Sequence, residues 1–146
     1  MKILSIFLLT GFLLSTSEWG SDLEKAEQIA VKEHKYILLN FSGSDWCGPC
    51  IRMRKEIFKA ETFEKYAEKN LVLINADFPR LKKNKLSNEL QKNNDHLADL
   101  YNPDGIFPLT ILLTANGKLV KKWEGLPSLT SDEFVSQVKT ASSAIQ

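Results

Sequence analysis

Two short, almost wholly apolar runs constrain this chain more than any other feature. Residues 36–41 (Tyr36, Ile37, Leu38, Leu39, Asn40, Phe41) and 71–77 (Leu71, Val72, Leu73, Ile74, Asn75, Ala76, Asp77) are rich in strand formers and too short to read as helices. Apolarity that hardly alternates implies burial on both faces of a sheet. Between the runs, Ile51, Ile57 and Phe58 sit among Arg52, Arg54, Lys55 and Glu56. That spacing predicts a helix interrupted near residues 60–62 and resuming to about Asn70. A strand, a helical crossover and a strand make a parallel pair. Ahead of them, Ser21-Asp22-Leu23-Glu24 reads as a capping box with Ser21 as the cap, opening a helix to about His34. Behind them, residues 79–95 read as a basic, solvated loop entering a helix that covers Leu86, Leu90, Leu97 and Leu100. Apolar runs at 109–114 and 119–123 flank Asn116-Gly117, a hairpin signal. Thr130 and Glu133 frame a second capping box before Phe134, Val135 and Val138. The order α-β-α-β-α-β-β-α predicts an α/β fold, with a central mixed sheet and helices on both faces.

The 146 residues are one domain's worth, and 43% hydrophobic with 25% charged is an ordinary globular composition. Such a chain builds a core without covalent staples. Met1 and Lys2, the apolar residues 3–14 and the small Ser15, Thr16 and Ser17 read as a signal peptide, with cleavage before Glu18. The apolar stretch reaches about 18 Å against a hydrocarbon core of about 30 Å, too short to span. The expectation is a leader at 1–17 and a mature domain at 18–146, periplasmic or secreted. Loss of Lys2 takes 19 basic side chains to 18, equal to the 18 acidic ones. No bulk field then draws the protein to nucleic acid or anionic lipid.

Cys47 and Cys50 are the only two cysteines. A separation of three closes too small a loop to stabilise a fold by chain entropy, so chemistry is the better reason for the pair. At the start of a helix, Cys47 would meet unpaired amides and the positive end of the helix dipole, which favour thiolate. Cys47 is therefore the expected nucleophile. Cys50, nearly one turn on and further in, can attack a mixed disulfide at Cys47 and release reduced substrate. Pro49 suits an early helical position because its missing N–H has no intrahelical partner there. Gly48 leaves the approach to Cys47 open. A zinc site would need two more ligands, and His34 and His96 lack the spacing. No metal is expected, and no cofactor beyond the Cys47–Cys50 dithiol itself.

The run Trp46-Cys47-Gly48-Pro49-Cys50 resembles the active-site motif of the thioredoxin family. The resemblance covers about residues 22–141. Gly105-Ile106-Phe107-Pro108 falls where that family carries a cis-proline opposite its cysteines, and Asn116-Gly117 and Gly125 match its hairpin turn and last-strand glycine. Together with the leader and Trp19, residues 40–46 are most similar to secreted bacterial members of the thioredoxin-like or disulfide-isomerase type. The resemblance implies a thioredoxin fold and protein substrates bearing thiols or disulfides. It also implies a substrate-binding surface of Trp46, Gly48, Pro49, Phe107 and Pro108. Strand rules alone leave Pro108 open between cis and trans; the resemblance implies cis, with the Phe107 backbone turned to pair with an extended substrate. Two departures stand out. The family's buried aspartate, proton acceptor for the inner cysteine, falls on Asn40, and its companion lysine on Leu73. An amide takes no proton, so Cys50 is left to water or to Cys47.

Trp46 reads as cover and substrate contact, Trp19 and Trp123 as packing, and His34 and His96 as surface or helix-end residues. Asp45 would hold protons on Cys47 while Arg52 and Arg54 would strip them, depending on where the side chains point. The resulting expectation is a monomeric, extracytoplasmic thiol–disulfide oxidoreductase working in the reducing or isomerising direction. An upstream redox partner, such as a membrane electron donor, would recharge it. The alternative is a peptide-binding or chaperone-like module with little redox turnover.

Overall fold

Strand β2 (Tyr36–Ser42) occupies the centre of the sheet because its residues from Ile37 onward have no face to give to water. The computed structural model describes residues 18–145; the expected leader and its cleavage site lie outside the described residues. Parallel to β2 runs β3 (Leu71–Asp77), with Leu38 opposite Leu73, Asn40 opposite Asn75 and Ser42 opposite Asp77. On the other side β4 (Leu109–Leu113) is antiparallel and sets Thr110 opposite Asn40. β5 (Leu119–Glu124) completes that edge, and a two-residue β1 (Trp19–Gly20) pairs in parallel with β3. The order is β1-β3-β2-β4-β5, the mixed sheet that the pattern predicts. β1 escapes a sequence reading because two residues show no alternation. It is anchored by Trp19, whose ring lies 5.0 Å from that of Phe58.

Alternation along β2 assigns the two cores. Ile37, Leu39 and Phe41 face α1 (Leu23–Glu33) and α4 (Asn88–Tyr101) through Ala26, Ala30 and Leu97. Leu38 faces the other layer, built from α2 (Gly48–Met53), a π-helical segment (Arg54–Phe58), α3 (Glu61–Asn70) and α5 (Ser131–Ser143). There an aromatic cluster of Phe58, Phe63, Trp123 and Phe134 joins the helices to the sheet. The helical run after the cysteines breaks near residue 60 as its pattern predicts, but its middle turn is π rather than α. The Lys59 amide donates to Arg54 O at 2.9 Å across this turn.

Several local expectations shift. The cap of α1 is Asp22, whose carboxylate accepts from the Lys25 amide, and not Ser21; the Ser21 carbonyl is engaged by the Asn93 side chain. His34 ends α1 in the left-handed region, φ 56°. Leu100 is 55% exposed instead of covered. The inner stripe of α4 runs Leu90, Asn94, Leu97 and Tyr101, and Leu100 falls beside it. At the hairpin only Gly117 has positive φ (74°), and its amide donates to Thr114 O at 3.0 Å. The turn is thus the three-residue kind closed by a left-handed glycine, rather than a mirrored two-residue turn. The capping box at Thr130 and Glu133 forms as predicted.

Phe63 is fully buried and touches Trp19, Phe58 and Phe134. Truncation to alanine is expected to cost about 3–5 kcal/mol, read as a lowered urea midpoint at unchanged slope.

Candidate active site

β2 ends at Ser42, and the chain turns through residues 43–46 to deliver Cys47 to the start of α2. Cys47 is the helix cap: its sulfur accepts the Cys50 amide at 3.2 Å. Pro49 takes the second helical position, where its missing N–H leaves nothing unsatisfied. Cys47 and Cys50 form a disulfide with Cα atoms 5.2 Å apart. Gly48 and Pro49 are exposed, whereas both cysteines are only 5% exposed. Exposure therefore does not rank the two sulfurs. Their surroundings do: Cys47 receives an amide at the helix start, and Cys50 lines a pocket that opens to solvent past Ser44, Ile51 and Arg54.

The loop carrying the motif is held from outside its own sequence. The Asp45 carboxylate accepts from the Arg80 amide (2.9 Å), the Leu81 amide (3.0 Å) and the Asn84 side chain (2.9 Å). These donors hold it below the ordinary carboxylate value of 3.8. Asp45 thus points at the segment 80–84. Arg52 is engaged by Glu56 at 3.1 Å, and Arg54 lines the cavity beside Cys50. Trp46 donates its indole N–H to Phe78 O at 2.7 Å, meets the Phe107 ring edge-on at 5.5 Å and carries the Arg80 guanidinium 3.6 Å above its ring. Gly43 makes room for this indole, since a Cβ there would fall 2.2 Å from it.

Phe107 precedes a cis peptide bond to Pro108, the isomer the resemblance implies. Asn102 braces that loop, donating to Ile106 O at 2.9 Å and accepting from its amide at 2.8 Å. Trp46, Phe78, Pro79, Arg80, Gly105 and Phe107 together line a shallow groove. Of the expected surface, Trp46 and Phe107 touch, Gly48 and Pro49 are exposed beside the disulfide, and Pro108 is buried beneath.

Behind Cys50 lies a cavity of about 210 Å³ lined by Trp19, Asn40, Ser42, Arg54 and Asn75 among others. Its floor is the face of the sheet on which Leu38, Leu73 and Leu112 give way to Asn40, Asn75 and Thr110. The Thr110 hydroxyl donates to Asn40 Oδ1, and Asn40 Nδ2 to Asn75 Oδ1, both at 2.9 Å. Asn40 is 6% exposed, and Leu73 is apolar and buried below it. Asn75, Thr110, Ser42, Arg80 and Asn102 escape the sequence reading. The available signal was Asn75 and Asn40 at like positions of two buried strands.

A thioredoxin fold bearing a Cys-x-x-Cys disulfide at the start of the helix after its central strand defines a thiol–disulfide oxidoreductase. The chain belongs to the thioredoxin-like domain family, whose model matches residues 23–141. It is 34% identical over 124 residues to the disulfide bond reductase DsbH of Chlamydia pneumoniae, covering 85% of this chain and 72% of that protein. A solved DsbH oxidoreductase structure superposes with a TM-score of 0.77 at 29% identity, covering 96% of this chain and 94% of the other. The oxidised C-terminal domain of Neisseria meningitidis DsbD shares the fold, with a TM-score of 0.56 at 22% identity over 85% of this chain and 99% of that one. The family works with its own cysteine disulfide. Among the described residues no group of His, Cys, Asp and Glu is placed to hold a metal, and no helix is long and apolar enough to cross a membrane.

Two variants test the loop. Gly43→Ala should displace the Trp46 indole and cost about 1–3 kcal/mol of overpacking, visible as a shifted tryptophan emission and a lowered urea midpoint. For Asp45 the sign follows from its direction. A carboxyl held below its unfolded value stabilises the fold above about pH 4 and loses that contribution as pH falls through the folded value. The stability gap between the wild type and Asp45→Ala should therefore be present at neutral pH and narrow in acid, measured by urea unfolding across the range.

Proposed function

We propose that the protein reduces disulfides of protein substrates outside the cytoplasm, with Cys47 as attacking thiolate and Cys50 as resolving thiol. The observation that carries the reading is the division of labour between the two sulfurs. Cys47 caps the helix and receives the Cys50 amide at 3.2 Å, while Cys50 lines the polar pocket behind the motif. An amide directed at a sulfur favours its anionic form.

In the first step the Cys47 thiolate attacks one sulfur of a substrate disulfide, forming a mixed disulfide and expelling the other substrate sulfur as thiolate. In the second, deprotonated Cys50 attacks Cys47 Sγ. The Cys47–Cys50 bond forms, the bond to substrate breaks, and the second substrate sulfur leaves to be protonated. Substrate gains two electrons and the protein returns to the disulfide state seen here. Trp46, Gly48, Pro49 and Phe107 form the surface on which an extended substrate segment would lie, with Pro108 beneath it turning the Phe107 backbone toward that segment. The Trp46–Phe107 contact supplies its apolar wall. The reducing direction is supported by the name of the C. pneumoniae relative, a disulfide bond reductase. A compartment outside the cytoplasm rests on the leader-like residues 1–17. Turnover then requires an upstream dithiol donor, a protein partner at or in the membrane.

Alkylation of the reduced protein followed against pH tests the assignment. Cys47 should react first, with a titration midpoint below about 8.5, the free-thiol value. Cys47→Ala should lose all reduction of a disulfide-bonded client, and Cys50→Ala should accumulate the mixed disulfide. Faster modification of Cys50 at neutral pH would reverse the roles.

A further inference from the structure

The resolving step must take a proton from Cys50, and none of the nearest polar neighbours on the sheet can hold one. Asn40 and Asn75 are amides, and Thr110 donates its hydroxyl to Asn40. The carboxylate connected to this face is Asp77, at the end of β3 and opposite Ser42. Ser42 Oγ lies 3.1 Å from Asp77 Oδ1 and 3.1 Å from Asn75 Oδ1. A hydroxyl has one proton to give. The two distances are equal, and the charged carboxylate is the stronger acceptor, so the hydroxyl donates to Asp77 and its lone pairs stay open to a further donor. Ser42 also lines the cavity that contains Cys50. At about 10–15 Å³ of cavity space per water, a pocket of about 210 Å³ lined by both Cys50 and Ser42 has room for several molecules.

We propose that Asp77, acting through Ser42 and cavity water, accepts the Cys50 proton during resolution and returns it when the disulfide is reopened. Asp77 is a positioning residue, since it reaches the sulfur only through Ser42. The route runs from Cys50 Sγ–H to water, from water to Ser42 Oγ, and from Ser42 to the Asp77 carboxylate, which becomes the neutral acid. The Cys50 thiolate then forms the bond to Cys47 Sγ as the bond to substrate breaks. Arg54, the charged side chain on the cavity wall, stabilises the thiolate once formed. The Ser44 amide donates to Asp77 Oδ1 at 2.8 Å, and the Ser44 hydroxyl donates to the other carboxylate oxygen. The acceptor is thereby held in place by the same loop that carries the motif.

The inference rests on Cys50 being the resolving thiol, and the test separates the two. The reduced full-length protein is mixed with an excess of a chromogenic aryl disulfide in stopped flow, where attack and resolution each release one coloured thiol. In Asp77→Asn the first release should match the wild type within about twofold, while the second slows by about 10²-fold, the lower end of what a positioned proton acceptor contributes. Ser42→Ala, which removes one hydroxyl, should show the same split and serves if Asp77→Asn does not fold. Adding Asn40→Asp to Asp77→Asn sets a carboxylate on the cavity wall itself and should restore the second release to within about tenfold of wild type. A distorted loop could not be rescued in this way. A normal second release in Asp77→Asn, or equal slowing of both steps without rescue, overturns the proposal. Cys50→Ala should abolish the second release; if it does not, the resolving role of Cys50 fails and the relay with it.

Discussion

Burial of β2 on both faces is the constraint from which the rest of the structure follows. A strand so placed must satisfy every polar side chain it carries from inside the protein, because an unpaired buried group costs about 1–3 kcal/mol. Asn40 and Ser42 are 6% and 7% exposed. Their partners come from both neighbouring strands: Thr110 on β4, Asn75 and Asp77 on β3. Among the described residues no buried side-chain nitrogen or oxygen lacks a hydrogen bond. Satisfying β2 therefore ties three strands together directly beneath the disulfide.

The same economy extends to the loop above. Asp77 uses both carboxylate oxygens and its main-chain carbonyl, the last accepting from buried Asn94 of α4 at 2.9 Å. Asp45 fastens the segment after β3, and Trp46 takes the Phe78 carbonyl in that segment. The redox pair thus stands on a frame whose members come from β3, α4 and the segments flanking them. Such support suits a centre whose chemistry requires sulfur atoms to exchange partners within a fixed geometry.

Loss of a buried aspartate and its lysine relative to the family pattern acquires a physical meaning here. An ionised group at position 40 would need a counter-charge in the core, and Leu73 offers none. The chain instead carries a neutral amide layer at that depth. Its acid, Asp77, stands two residues further along β3, where the sheet meets the motif loop and backbone and hydroxyl donors are at hand. A charge at this outer position needs no buried counter-ion and is hydrogen-bonded to Ser42 on the pocket wall.

Much of this was legible in the residues. The runs at 36–41 and 71–77, the hairpin at Asn116-Gly117, the cap at Thr130 and the motif from Trp46 to Cys50 each carry their own physics: periodicity, turn geometry, an unsatisfied helix end. Those local terms determined the element order, the mixed sheet and the place of the disulfide. What they left undecided involves groups distant in sequence. The pairing of Trp19 with β3, the π turn at Arg54–Phe58, the turning of Asp45 toward residues 80–84 and the hydrogen bond from Ser42 to Asp77 all depend on strand register and on which segments pack together. The sequence by itself determined what the two sulfurs are for; only the tertiary structure decided what surrounds each, because a side chain's neighbours across a sheet are set by register, and register is a property of the assembled strands.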